Sequence, residues 1–579
     1  NKKEGEKNML EKINSKKGYN IITIIILIIT IIFMFYWIGK KEGFHEDEIF
    51  SYGSSNYKWD NVYQAAGKSD FLNRTIEKYV IGDSLGETIK NIGYYLSHQD
   101  EFGELAGEIH SADKPVWKTS KDAKEYVTIG EGDVLNYFSV YYNQSRDVHP
   151  PLFYMLVHLA SSIAYGIFSK YIIFAINLIF FILTFFVIRK IFILFDKKWL
   201  GLIALVLYGL SMGVASTVIF LRMYMMITFF GIAYLYINLK ILKNNLEITK
   251  KEKWQLFWTI LLGFLTQYYF CILVFGIFVL MFIRFIQKKE YKMLKKYIVI
   301  HIVSALVGII LFPAAIYHIF FSYRGVNLIG NERSMLQTIA FYIERICEAY
   351  SINNILIYAI LALGVIGVIV RVIIAKKNNK KIKNLFAYLV IIIPTLIYFF
   401  VVVKMAPDIE AKYAMRYIMP ILPELAIIFV LAVWAIFKNK KVAYSVTTVA
   451  VLIVTISGMI TNEPKYLYKG YSKYVEIAEQ HKDLDFVYAV DNAFTHMTSM
   501  PEFLIYNKSL IINMNYDKLD FLRTDEELQS QDQFILTIKK WMNVEDTLNK
   551  ILEYTGFSNH EVLLQQEDDT GSIIYLVSR

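Results

Sequence analysis

Cysteine is nearly missing from this 579-residue chain: there are two, Cys271 inside an apolar run and Cys347 far from it in sequence. Two thiols so placed give neither a disulfide framework nor a metal-ligand spacing, and the redox compartment stays open. Charge is sparse as well. Only 20% of residues are charged, against 55% hydrophobic and 16% aromatic, and the mean hydropathy is +0.38. A soluble fold could not hide that much apolar surface, which leaves a polytopic α-helical membrane protein. The net charge of +9 needs no nucleic acid to explain it, because the lysines fall mostly in short clusters between apolar runs, as cytoplasmic loops do. Internal repeats and polar residues in the middle of spans, the usual marks of a transporter or lipid flippase, are not evident.

What is present is a series of apolar runs. Lys2, Lys3, Lys7, Lys12, Lys16 and Lys17 precede the first, Ile21 to Ile38, which is too long for a cleaved signal and predicts an uncleaved span with its amino end inside. Further spans are expected near 171–190, 199–219, 224–240, 254–266, 269–286, 297–317, 354–374, 385–403, 417–437 and 442–460, about eleven in all at the length a bilayer demands. Pro150 to Phe168 is apolar too, but counting it as a span moves the lysine clusters at 197–198, 240–253, 288–296, 376–383 and 438–441 outside. The positive-inside bias therefore makes it a surface or re-entrant helix. Trp254 to Ile286 is split at Thr266-Gln-Tyr-Tyr269, where polar groups interrupt it. The chain then reads as a cytoplasmic tail (1–20), a membrane domain (21–462) with a large outer loop (40–150), and an extracytoplasmic domain (463–579).

Within the outer loop, Ser84-Leu-Gly-Glu87 has the capping-box spacing, and Leu85, Ile89, Ile92 and Leu96 recur at helical period behind it. That predicts an amphipathic helix, lying on the membrane surface or else packed on a soluble core, the tether at both ends of the loop favouring the surface. After residue 462, helical patterns (471–479 and 544–554, with Gly556 as a stop) alternate with strand-like runs (486–490, 510–514, 534–538, 573–577), which predicts a small α/β domain. It holds no Gly-rich phosphate loop and reads as structural or acceptor-handling.

Polar groups stand against the ends of apolar runs in four places. Phe44-His-Glu-Asp-Glu-Ile-Phe-Ser-Tyr-Gly53 sets Glu46, Asp47 and Glu48 just past the first span, and Asp147-Val-His-Pro-Pro-Leu152 closes the outer loop. Arg222-Met-Tyr224 and Arg416-Tyr-Ile-Met-Pro420 each open an apolar run. Ionisable groups at such depths are functional candidates, and the four are expected to converge at the outer membrane face. Plainer roles are open for each: solvated loop acids, a helix-start cap for Asp147 or His149, and snorkelling anchors for the arginines. The outer face is where the positive-inside bias makes an arginine least expected.

Taken together these motifs resemble the GT-C membrane glycosyltransferases, and within them glycosyltransferase family 39, the protein O-mannosyltransferases and bacterial polyprenyl-phosphate-sugar transferases. The resemblance spans roughly residues 20 to 460 and is most specific in the Asp47-Glu48 pair and the Asp147-Val-His-Pro-Pro-Leu152 run. The carboxy-terminal domain differs from the sugar-binding repeat module of the eukaryotic enzymes. The resemblance implies transfer of a sugar from a polyprenyl-phosphate donor to an acceptor outside the cytoplasmic membrane.

Chemistry assigns the parts. An attacking hydroxyl must lose a proton, and Asp47 is the expected base, with Glu48 beside it toward the acceptor. Arg222 and Arg416, with Tyr224 nearby, are the expected donor-phosphate contacts, their planar forks suiting phosphate oxygens. Asp147 and His149 are expected to shape the site. No metal or cofactor is needed, although Glu46 to Glu48 could recruit a divalent ion. Two other function classes fit a polytopic chain: a transporter or flippase without catalysis, and an assembly factor.

Overall fold

A backbone inside a bilayer has no water to bond, so an apolar run there must satisfy its own N–H and C=O groups as a helix. In the computed structural model, which describes residues 16–579 apart from 61–62, 64–73, 112–114, 321–332, 353–383, 407–409, 493, 516 and 566–570, eight helices are long and apolar enough to cross a membrane. They are Lys17–Lys40, Lys170–Leu194, Tyr224–Lys243, Phe270–Gln287, Tyr291–Leu311, Leu385–Met405, Met419–Ile436 and Lys440–Thr461. The protein is thus a multi-pass membrane protein, mostly helical, with a small sheet near its carboxyl end.

The departures from the expected spans have local causes. The run at 199–219 forms two helices, Lys198–Gly209 and Met212–Ile219, bent by 58°. Ser211 breaks it by capping the second, its Oγ accepting from the Val214 N–H. The expected span at 254–266 is a 15-residue helix, Lys250–Phe264, whose first turn is charged and closed by a Thr249/Glu252 capping box. The interruption expected at Thr266–Tyr269 is present, since one helix stops at Phe264 and the next begins at Phe270. The expected span at 354–374 and the cluster at 376–383 lie outside the described residues. Pro150 to Phe168 yields only the 12-residue helix Leu152–Ile163, roughly 18 Å long against a hydrocarbon core of about 30 Å.

The helix expected behind Ser84 is Leu85–Ser97. The Ser84 hydroxyl accepts from the Glu87 N–H, but the Glu87 carboxylate accepts from the Asp83 N–H instead of closing the box on Ser84. Leu85 and Ile89 are 78% and 61% exposed, whereas Ile92 and Leu96 farther along the same face are half-buried.

The sheet has six strands: β1 (Lys118–Thr119), β2 (Asp485–Val490), β3 (Lys508–Asn513), β4 (Gln533–Lys539), β5 (Asn559–Gln565) and β6 (Ser572–Ser578), in the order β1-β3-β2-β4-β6-β5. β2, β3 and β4 are parallel, β6 runs against β4, and β5 against β6. Four of the six are the expected strands. The two unexpected ones sit at the edges, and β1 comes from the long loop after the first span, Lys118 opposite Ser509 and Thr119 opposite Lys508. Trp117 reinforces the joint by donating from Nε1 to Asp525 at 3.0 Å. Helix Val544–Thr555 ends on Gly556, whose φ of 77° is the left-handed conformation that a helix stop of this type requires.

Candidate active site

The first turn of helix α1 (Glu46–Asn56) carries the three acids. Its cap is a histidine: His45 Nδ1 accepts from the Asp47 N–H at 3.0 Å, while the His45 N–H donates to Glu48 Oε2 at 2.7 Å. This is a capping box with imidazole in the place of the usual hydroxyl. Burial drives the His45 pKa down to about 3 against the pull of Asp47, so the ring stays neutral and keeps the acceptor nitrogen the cap needs. Carboxylates in a first turn also face the positive end of the helix dipole.

From that turn the acids diverge, as adjacent residues on a helix must. Asp47 is partly open, its side chain 22% exposed, and Oδ2 meets Arg416 at 2.5 Å. Glu48 is fully buried: Oε1 accepts from the Leu221 N–H at 2.8 Å, and Oε2 receives Lys41 Nζ at 2.9 Å besides the His45 N–H. Lys41 also donates to the Tyr466 carbonyl at 2.6 Å. Glu48 is therefore an anchor that ties α1 to the end of the first span and to the turn before Arg222. Glu46 stays at the rim; burial first, then the Asp47 charge, push its pKa up to about 7, with Arg416 and Lys539 opposing.

Arg222 follows the bent helix pair, where Asn177 holds the turn by donating to the Val218 and Phe220 carbonyls at 3.0 and 2.8 Å. It is 4% exposed. Its NH1 donates to the Asp47 carbonyl, the Ser51 hydroxyl and the Tyr154 hydroxyl at 3.0 to 3.2 Å, and NH2 lies 3.5 Å from His149 Nε2. His149 in turn faces Asp147 from Nδ1 at 2.8 Å. With the proton assigned to Nδ1, the ring donates to Asp147 and turns its Nε2 lone pair to the guanidinium. Arg416 projects from the 3-10 turn Met415–Tyr417. For both arginines, burial works against the charged form, but the charges around them, Asp47 among them, outweigh it and hold them protonated. Each keeps a buried Nε–H with no hydrogen-bond partner among the described residues, a donor suited to an anion's oxygens.

The structure thus brings Asp47, Arg416, Arg222, His149 and Asp147 into one chain of contacts. Tyr224 opens its span beside them, buried, with its ring stacked on Phe220 at 5.6 Å. Glu48 turns away into the interior. Residues not singled out in the sequence complete the arrangement: Lys41, Ser51, Tyr154 and the cap His45, whose ring packs against Tyr413 at 4.8 Å. His45 stands at the head of His-x-x-Glu, but helix starts are ordinarily capped by Ser, Thr, Asp or Asn, so an imidazole there gives no cap signal in the sequence. A cavity of about 640 Å³ is lined by Tyr413 and Tyr466, behind the wall that faces His45, and its lining includes neither Asp47 nor Arg222. Among the described residues no group of His, Cys, Asp or Glu is placed to hold a metal.

No protein-family model and no curated protein matches the chain. Among solved structures, the crystal structure of ArnT from Cupriavidus metallidurans in the apo state is similar to it with a TM-score of 0.42 at 12% identity, covering 74% of this chain and 87% of that one.

Proposed function

We propose that this chain is a membrane glycosyltransferase of GT-C type, similar to family 39, that moves a sugar with inversion from a polyprenyl-phosphate donor to an acceptor outside the cytoplasmic membrane. The observation that carries the reading is the contact of a half-open carboxylate, Asp47, with Arg416 while Arg222 holds its backbone carbonyl. A base for the incoming hydroxyl and cations for the departing phosphate then stand within one side chain of each other. A single displacement at the anomeric carbon needs no second nucleophilic carboxylate, which agrees with Glu48 serving as anchor. Asp47 accepts the acceptor's proton as the C–O bond forms, and the donor's phosphate leaves with the bonding electrons toward the arginines. Asp147, through His149, positions Arg222. Transfer of label from a polyprenyl-phosphate sugar by the purified protein, and its loss in Asp47→Asn, tests the reading against a transporter or assembly factor.

The bias of the lysine clusters toward one side supports a site on the outer face. Cysteines introduced at Ser120 and Ser530 should both be labelled from outside intact cells by an impermeant reagent. Labelling of only one would break the topology.

Arginine's fork distinguishes a phosphate site from a membrane anchor. Arg222→Lys and Arg416→Lys should remain folded and lose at least roughly tenfold in kcat/KM, the worth of about 1.5 kcal/mol for a charged hydrogen bond lost with the bidentate geometry. Anchors would tolerate lysine, so near-native turnover in both would return these residues to snorkelling.

With the phosphate charge assigned to arginines, turnover should persist in EDTA. Activity abolished by the chelator and restored by magnesium or manganese would assign that charge to a metal instead.

A further inference from the structure

In open α/β sheets the free N–H groups and loops gather at the carboxyl ends of parallel strands, and ligands bind where the chain order reverses there. Here that place is the end of β2, since β3 adds on one side of it and β4 on the other. A cavity of about 530 Å³ opens there, with Asp491, Asn515, Asp517, Asn543 and Asp546 around Met542. Its shape is fixed from within: Asn515 Nδ2 donates to the Asp491 carbonyl at 2.5 Å, and Asp517 Oδ2 accepts from the Asn513 N–H at 2.6 Å.

Beside the cavity stands Trp541, 54% exposed. Its Nε1–H is shared between both Asp491 oxygens at 3.2 and 3.1 Å, and Gly571 lies so close beneath the ring that a Cβ there would meet it at 3.1 Å. An indole fixed in orientation yet left open to solvent is a stacking platform. Phe494, 45% exposed, packs its ring on Phe50 at 5.4 Å, and Phe50 shares a helical face with Asp47 three residues earlier. Lys539, 5.3 Å from the Trp541 ring, acts on the charge of Glu46. Lys539 beside the Trp541 ring and Phe494 on Phe50 thus connect the surroundings of the cavity with the helix that carries Asp47.

Carboxylates and carboxamides beside exposed rings suit a ligand of many hydroxyls and apolar C–H faces; the lining sets Asp491, Asp517 and Asp546 against Lys550, which is already paired with Asp546 at 2.7 Å, so its remaining negative charge disfavours phosphate or uronate. We propose that the carboxyl-end crevice of the sheet, with the Trp541 and Phe494 rings, binds an uncharged oligosaccharide and directs it to Asp47 as the acceptor. The inference rests on the glycosyltransferase reading in naming that acceptor, whereas the binding itself does not.

The test uses full-length protein in detergent on an array of neutral, amino and phosphorylated oligosaccharides, with the transfer assay run in parallel. Wild-type protein should retain neutral glycans alone. Trp541→Ala and Asp491→Asn should weaken that binding at least about tenfold, as one aromatic contact or hydrogen bond is worth about 1 kcal/mol or more, and Trp541→Tyr should restore most of it. The acceptor KM should rise by the same factor with the donor KM unmoved. Neutral-glycan binding that survives both substitutions, or a preference for phosphorylated chains, overturns the proposal. So does transfer activity in a protein that binds no neutral glycan, an outcome that leaves the glycosyltransferase reading standing. Binding lost on substitution in a protein that transfers no sugar upholds the crevice and overturns the enzyme.

Discussion

Asp47→Asn is expected to lower kcat at least about a hundredfold, the usual worth of a general base, in protein that folds normally. Asparagine keeps the size of the side chain, and the cap on the helix depends on the residue's backbone N–H, which donates to His45. The backbone carbonyl that receives Arg222 is likewise unchanged. What disappears is the proton acceptor and the charge facing Arg416 at 2.5 Å. Removing a group that acts only as the bond forms lowers kcat, whereas removing a contact equally strong before and during reaction raises KM. Steady-state kinetics with acceptor varied at saturating donor separates the two. An effect confined to acceptor KM would make Asp47 a binding residue, and a near-native enzyme would remove the site from this helix.

The second large effect falls on stability. Lys41 and Glu48 are both wholly buried and 2.9 Å apart. Breaking such a pair by removing one partner strands the other charge, at a cost of about 3 to 5 kcal/mol. Lys41→Met should therefore sharply lower the temperature at which the detergent-solubilised protein loses its monodisperse form. Glu48→Gln should do the same, because its amide would set an N–H against a lysine or a backbone donor. If Glu48→Gln left that temperature unchanged and raised acceptor KM alone, Glu48 would be an acceptor contact after all.

The four site motifs were legible because charged or polar groups at the ends of apolar runs carry a cost that something must offset, and Asp47, Asp147, His149, Arg222 and Arg416 all meet in the folded chain. The different fates of Asp47 and Glu48 were only half legible. Helical geometry dictates that they diverge; which one turns inward is set by Lys41 and by the Leu221 N–H, 173 positions away. In the sheet, β2, β3, β4 and β6 announce themselves as apolar runs of β-branched and aromatic residues. β5 is largely exposed, its Asn-His-Glu start carrying no apolar signal, and β1 is two residues long. An edge strand that short is defined by what it pairs with and has no pattern of its own.

That short strand bears on how the protein is made. Trp117 and its partner Asp525 are 408 positions apart, and at ribosomal rates of 5 to 20 residues per second roughly 20 to 80 seconds separate their synthesis. Throughout that interval the long loop after the first span has been made without the edge it completes, and the membrane helices must assemble around an unfinished first loop. Closing so distant a pairing is entropically slow. Maturation of this protein is therefore gated by strands made some four hundred residues later, and a chain released before them would carry Asp47, Asp147 and His149 on a loop still waiting for its scaffold.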